Sequence, residues 1–290
     1  MNFVFFTLGG KQLWEDLFFC QGWRIQRNVI TGRHRLLDEW DIRRESGSMA
    51  ECQSAFVKYA EAFQITKPNS RAVVFIHGFG RSKDMFKAMD ARFEASGYTA
   101  ISINFPTLYR PFDNMVEQLG NILKNLKGIK EINFVAYGFG GLVLRKSLTK
   151  SWNIQNKMRI GRIVIINTPN RGALWGEKAA YSPLWLKILG QSVMIYTPDF
   201  IDQLPDFPLN TDTGAITSWN PFGRGLCRFL PKSWRNLFQN PRDNSTLNTK
   251  ETIVVKSPHL NPCNDEKVIL PCINFIKSGK FASLQKIKKL

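Results

Sequence analysis

Three short glycine-bearing stretches carry most of the chemistry this sequence could do. They are Ile76-His77-Gly78-Phe79-Gly80-Arg81-Ser82, Val135-Ala136-Tyr137-Gly138-Phe139-Gly140-Gly141 and Asn167-Thr168-Pro169-Asn170-Arg171-Gly172. Each follows a run of apolar residues of strand length, so each reads as a turn at the end of a buried strand. Glycine-rich turns can cradle phosphate, and two such readings are settled by counting. A Walker loop begun at Gly78 needs its second glycine where Lys83 stands, and a dinucleotide fingerprint begun at Gly138 needs glycine where Val143 stands. Both fail, and no cofactor is expected. The five cysteines (Cys20, Cys52, Cys227, Cys263, Cys272) contain no C-x-x-C pair and the only histidines are His34, His77 and His259, so no metal site is expected either.

The elements that must position these turns follow from the apolar pattern. From Ala72 onward the chain alternates strand-like runs (Ala72 to Ile76, Tyr98 to Phe105, Ile132 to Ala136, Arg162 to Asn167) with amphipathic stretches. Residues 84–96 put Met85, Met89 and Phe93 on one helical face. Pro111 to Lys127 does the same with Phe112, Met115, Leu119, Ile122 and Leu126, and Gly128 follows it. Such a series predicts an α/β fold with a mostly parallel central sheet and helices on both faces. In open parallel sheets ligands bind at the carboxyl ends of the strands, where the three turns fall. Gly214 to Trp219 and Thr252 to Ser257 are further strand candidates, and a helix after Asp265 must kink or begin at Pro271. Residues 1–70 read as an extension, with a hairpin around Thr31-Gly32 and a helix opened by the capping box Ser48-Met49-Ala50-Glu51. Residues 71–280 form the main domain and 281–290 a basic tail. The Trp-, Leu- and Pro-rich stretch 173–212 is a candidate cap that ordinary core packing would explain equally well.

With the turns placed, the chain resembles the α/β-hydrolase superfamily in its lipase/esterase branch, over roughly residues 71–280. His77-Gly78 resembles that family's His-Gly oxyanion loop. Ala136-Tyr137-Gly138-Phe139-Gly140-Gly141 resembles its nucleophile elbow, Gly-x-Ser-x-Gly. Thr168-Pro169-Asn170-Arg171-Gly172 resembles the Thr-Pro-His-x-Gly turn of many lipases. The resemblance implies backbone oxyanion donors at Phe79 and Phe139, a catalytic histidine at His259, and a triad acid at Asp243 in Pro241-Arg242-Asp243-Asn244. At Asp243 the family's glycine is replaced by Asn244, and a turn-capping aspartate explains the residue as well.

The departure lies at the elbow's centre, where the resemblance implies serine and this sequence has Gly138. A serine hydroxyl would attack an acyl carbonyl while histidine takes its proton. Glycine has no side chain and forms no acyl-enzyme, yet it accepts the strained elbow backbone more readily than serine. Ala136 and Tyr137 also depart from the family pattern, which points to divergence of the whole elbow rather than to one inactivating change.

The charge leaves room for other partners. The chain has 40 Lys+Arg and 23 Asp+Glu, a formal charge of +17, and most of the excess falls in residues 137–290. Such a surface suits anionic lipid heads or phosphate backbones, or is simply solvated. No helix-turn-helix, RNA-recognition or zinc-finger pattern accompanies it, which argues against nucleic acid. No signal peptide or membrane-spanning run is visible, so the expected location is the cytoplasm. Three readings stay open. One is a pseudo-hydrolase that binds an acyl or other apolar ligand, or a protein partner. Another is an ester or lipid hydrolase that uses His-activated water or a non-standard nucleophile. The last is a basic module that docks on an anionic surface.

Overall fold

The computed structural model describes residues 10–65, 68–150, 152, 158–170, 195, 197–219, 248–257 and 261–281. Among these residues, ten strands fall into two sheets. The main sheet has six strands in the order β10-β9-β8-β7-β5-β6. These are β5 (Arg71–Ile76), β6 (Thr99–Ile103), β7 (Glu131–Tyr137), β8 (Arg159–Ile166), β9 (Thr213–Trp219) and β10 (Thr249–Lys256). All five neighbouring pairs run parallel.

The apolar runs of these strands serve two cores at once, because successive side chains point to opposite faces. Ala72, Val74 and Ile76 of β5, Phe134 and Ala136 of β7, and Ile163 and Ile165 of β8 join one cluster. Val73, Phe75, Val135, Tyr137, Val164 and Ile166 join the other. Helices α3 (Phe112–Asn125) and α4 (Phe139–Thr149) cover the first face; α2 (Lys87–Glu94) and α6 (Glu266–Ser278) cover the second. Each fully buried Leu, Ile, Val or Phe contributes about 1.5–3 kcal/mol before entropy is counted, which is why uninterrupted apolar runs choose the interior strands. The α/β arrangement expected from the sequence is thus present.

Local departures have physical reasons. Helix α3 ends at Asn125, since Leu126 is already extended at φ −66°, ψ 130°. Helix α6 begins at Glu266, where the Asp265 carboxylate accepts from Lys267 N at 3.0 Å, and runs on through Pro271. It therefore does not begin at the proline. Ser82 occupies the position before a short 3-10 turn at Lys83–Phe86, but its side chain makes no capping bond.

The second sheet is antiparallel, in the order β1-β2-β3-β4: Trp14–Cys20, Trp23–Asn28, His34–Leu37 and Arg43–Gly47. The hairpin around Thr31-Gly32 is β2–β3, and two strands without a clear sequence signal flank it. Helix α1 (Met49–Ala62) opens with the reciprocal Ser48–Glu51 capping box and packs on this sheet through Cys52, Phe56 and Tyr59. Asp16 of β1 joins this layer to the main sheet. Its carboxylate accepts from Asn104 N at 2.7 Å, just past β6, and from Arg24 and Gln26 of β2. The outer strand β6 is thereby covered at its carboxyl end.

Candidate active site

Gly138 is the only residue between β7 and α4, and its backbone sits at φ 53°, ψ −122°. Its N–H donates to Ile166 O at 2.8 Å and its carbonyl accepts from Gly141 N at 3.1 Å. A strand that turns into a helix through one residue this sharply needs positive φ, and glycine supplies it without a Cβ clash. The two glycines that follow serve closeness instead. A Cβ on Gly140 would run into the carbonyls of Ile76 and His77, and one on Gly141 into the Thr168 side chain. Helix α4 can thus begin hard against the other two turns.

The first turn is braced by His77, which is completely buried. Its Nε2 accepts from Phe105 N at 2.8 Å, so the proton resides on Nδ1, which donates to Gly78 O at 2.9 Å. Burial lowers its pKa to about 4 and keeps it neutral. Both nitrogens are engaged in tying the first turn to the end of β6, a structural task. Gly78 then lies beside the elbow: a Cβ built on Gly138 would stand 3.9 Å from Gly78 Cα, the nearest atom among the described residues.

The third turn is held by polar contacts. Asn167 adopts φ 51°, its Oδ1 accepts from Ser218 N at 2.8 Å, and its Nδ2 donates to Ser218 Oγ at 2.6 Å. Arg145, buried in α4, donates to Asn170 Oδ1 at 3.1 Å and to the carbonyls of Leu204 and Pro205. No motif pointed to Arg145; its position on a helix otherwise facing the core is the only sequence signal.

Phe79 and Phe139 flank the two glycines, with ring centroids 6.2 Å apart and nearly edge to face. Phe139 meets Phe112 at 5.8 Å, and Phe112 meets Phe200 at 5.3 Å. Phe200 belongs to α5 (Pro198–Asp202), inside the stretch considered as a cap. Of that stretch, Ile201, Leu204 and Phe207 pack in the main core, while residues 171–194 lie outside the described residues. Next to the first turn opens a cavity of about 550 Å³ lined by Gly80, Arg81, Ser82, Asn261 and Asn264 among others. His259 and Asp243 lie outside the described residues, as does most of the basic tail.

Among the described residues no three His, Cys, Asp or Glu side chains are grouped to hold a metal ion, and no helix is long and apolar enough to cross a membrane. No protein family matches the sequence, and no curated protein does. Solved structures do match. The lipase BlEst2 of Bacillus licheniformis, in its propeptide form, superposes with a TM-score of 0.53 at 21% identity over 75% of this chain. The match spans 51% of that lipase, so this chain corresponds to about half of it. A Listeria innocua protein (TM-score 0.47, 14% identity, 73% of this chain and 95% of that one) and a lipase-esterase related protein from Clostridium acetobutylicum (0.42, 16%, 73% and 96%) superpose too loosely to add to the argument. A six-stranded parallel sheet, a one-residue strand-to-helix elbow and the likeness to the Bacillus lipase together give this chain the α/β-hydrolase fold.

Proposed function

We propose that this protein is a lipase/esterase-type α/β-hydrolase whose elbow has lost its nucleophile, and that it binds an acyl or otherwise apolar ligand at the carboxyl end of the main sheet without forming an acyl-enzyme. The observation that carries this reading is Gly138, which holds an elbow's backbone at φ 53°, ψ −122° and offers no side chain to react. The aromatic wall of Phe79, Phe139, Phe112 and Phe200 beside it supports an apolar occupant. In this proposal the backbone N–H groups of Phe79 and Phe139 face a bound carbonyl oxygen. His259 is the residual base and Asp243 the acid that orients it. Asn261 lines the same cavity as Gly80 and Arg81.

Without a hydroxyl, any turnover has to use water directly. Donors and binding alone leave about 10³–10⁴-fold over the uncatalysed reaction when a triad is dismantled. The test is hydrolysis of short- and long-chain p-nitrophenyl esters by the wild type, His259→Ala, Gly138→Ser, and Gly138→Ser combined with His259→Ala. Activity is expected only with Gly138→Ser alone. Wild-type hydrolysis that disappears in His259→Ala would overturn the proposal and make this a working hydrolase that uses His-activated water or another nucleophile.

A further inference from the structure

A second cavity, of about 570 Å³, lies at the other end of the molecule, where the N-terminal layer meets the main sheet. Thr99 and Ile101 from the start of β6, and Leu126 and Ile129 just before β7, form one side. Gly138 follows the opposite end of β7, seven strand residues or about 23 Å away. Phe18 of β1, Ile25 of β2 and Phe56 of α1 form the other side.

The cavity is a seam between two cores. Ile101, Leu126 and Ile129 belong to the main core, while Phe18, Ile25 and Phe56 belong to the small core under α1. Strand β1 shifts register between Asp16 and Phe18, then sends Phe18 into the small core and Phe19 into the main one. Ligand pockets favour such junctions, are mostly apolar, and span about 300–1,000 Å³. The polar groups among the described residues here are few: the buried Thr99 in the wall, Gln21, Gln53 and Asn125, which reach solvent, and Lys127, the only charged side chain among them. Lys127 is exposed, and it lies close enough to the half-buried Cys20 in the cavity wall to act on its thiol electrostatically.

We propose that this cavity binds a free single-chain anionic amphiphile, a fatty carboxylate, with its chain in the seam between the two cores and its head group at Lys127. Charge complementarity selects the head, since among the described residues the lining holds one cation and no acid. The apolar walls select the chain. The proposal is independent of what Gly138 does.

Cys20 is the reporter, because among the described cysteines Cys52, Cys263 and Cys272 are buried; Cys227 lies outside the described residues, and its peptide is read separately. Its alkylation by N-ethylmaleimide would be followed by peptide mass spectrometry with the full chain, in the presence of dodecanoate below its micelle concentration, octanoate, dodecyltrimethylammonium or phosphatidylglycerol vesicles. Dodecanoate is expected to slow Cys20 alkylation, and affinity should fall about fourfold for each methylene removed on the way to octanoate. Lys127→Gln should weaken dodecanoate about two- to fivefold, the worth of an exposed ion pair, and leave the cationic detergent unchanged. Val57→Glu, at an exposed position on the rim, should weaken it as well. An unchanged alkylation rate with dodecanoate would overturn the proposal. So would equal protection by the cationic detergent, or protection by vesicles alone, which would point to a membrane surface instead.

Discussion

Gly78 and Gly138 face each other across the carboxyl end of the main sheet, with Gly78 Cα 3.9 Å from the point where Gly138 would carry a Cβ. That separation is ordinary van der Waals contact, so no described residue crowds a side chain out of Gly138. The backbone is the obstacle: φ 53° with ψ −122° suits few residues other than glycine.

Space and strain therefore separate two neighbouring glycines. Gly138→Ser should fold and lose about 1–3 kcal/mol of stability to backbone strain alone. Gly140→Ala puts its methyl into the carbonyls of Ile76 and His77, and the strand ends have to move. Its cost should be at the upper end of overpacking, about 3 kcal/mol, or folding should fail. Urea unfolding of the two variants, followed by tryptophan fluorescence, gives the ranking. A Gly140→Ala protein as stable as the wild type would mean that α4 does not press on β5 in this way.

His77 should make stability fall in acid. Its folded pKa, near 4, lies below the ordinary value of 6.5, so the unfolded chain binds the extra proton between these two pH values. The contribution is fully present above pH 6.5 and is lost as pH falls toward 4, by about 3 kcal/mol in total. His77→Gln removes the titrating group. Its unfolding free energy should change less between pH 7 and pH 4.5 than that of the wild type, and equal slopes would show that His77 is not the group responsible.

Asp90 pulls the other way. Desolvation raises its pKa to about 7, against the hydrogen bond it accepts from Ser102 Oγ at 2.6 Å and the nearby Arg24 and Lys83, all of which lower it. The folded protein then holds a proton that the unfolded chain releases near 3.8, so this contribution is complete below pH 3.8 and is lost as pH rises through 7. The side chain is only half-buried, which limits the effect to about 2 kcal/mol. Asp90→Asn should be more stable than the wild type at pH 8 and equal to it at pH 4. Carbon-13 NMR of the Asp90 carboxyl would read the titration directly.

What the sequence revealed depended on whether a signal was local. The strands β5, β7 and β8 announce themselves because interior strands must be apolar on both faces. The glycine at the elbow likewise implied positive φ. Strands β1 and β4 were silent for opposite reasons. In β1, Glu15 and Asp16 look like surface charges, yet both are buried because Arg27, Arg110 and Arg24 from distant positions neutralise them. In β4, Arg43, Arg44 and Glu45 are exposed and carry no apolar signal, so only pairing with β3 makes a strand. The candidate site divides the same way. Gly138, Phe79 and Phe139 sit in recognisable turns, whereas the meeting of Phe112 with Phe200, and the hold of Arg145 on Asn170, arise from contacts between residues far apart in sequence.

Asp16 is the sharpest test of how the N-terminal layer depends on the main sheet. Its Oδ2 takes Asn104 N at 2.7 Å and Arg24 Nη1 at 3.0 Å, and its Oδ1 takes Gln26 Nε2 at 2.7 Å. Gln118 of α3 adds a bond to its carbonyl at 3.0 Å. Asp16→Ala would take the nearer of two carboxylates from the buried Arg24, leaving it Asp41 Oδ1 at 3.7 Å and Ser102 O at 3.1 Å, and would leave one backbone N–H unpaired; breaking a buried pair from one side costs up to about 3–5 kcal/mol. Removing both partners, in Asp16→Ala with Arg24→Met, leaves no orphaned charge and should recover much of that loss. Hydrogen exchange places the damage: amides of β1 and β2 should lose protection in Asp16→Ala well before those of β7, which lie inside the main sheet. Uniform loss across both sheets would mean that the two layers unfold as one unit and that Asp16 is an interior residue of a single core rather than the clasp between two.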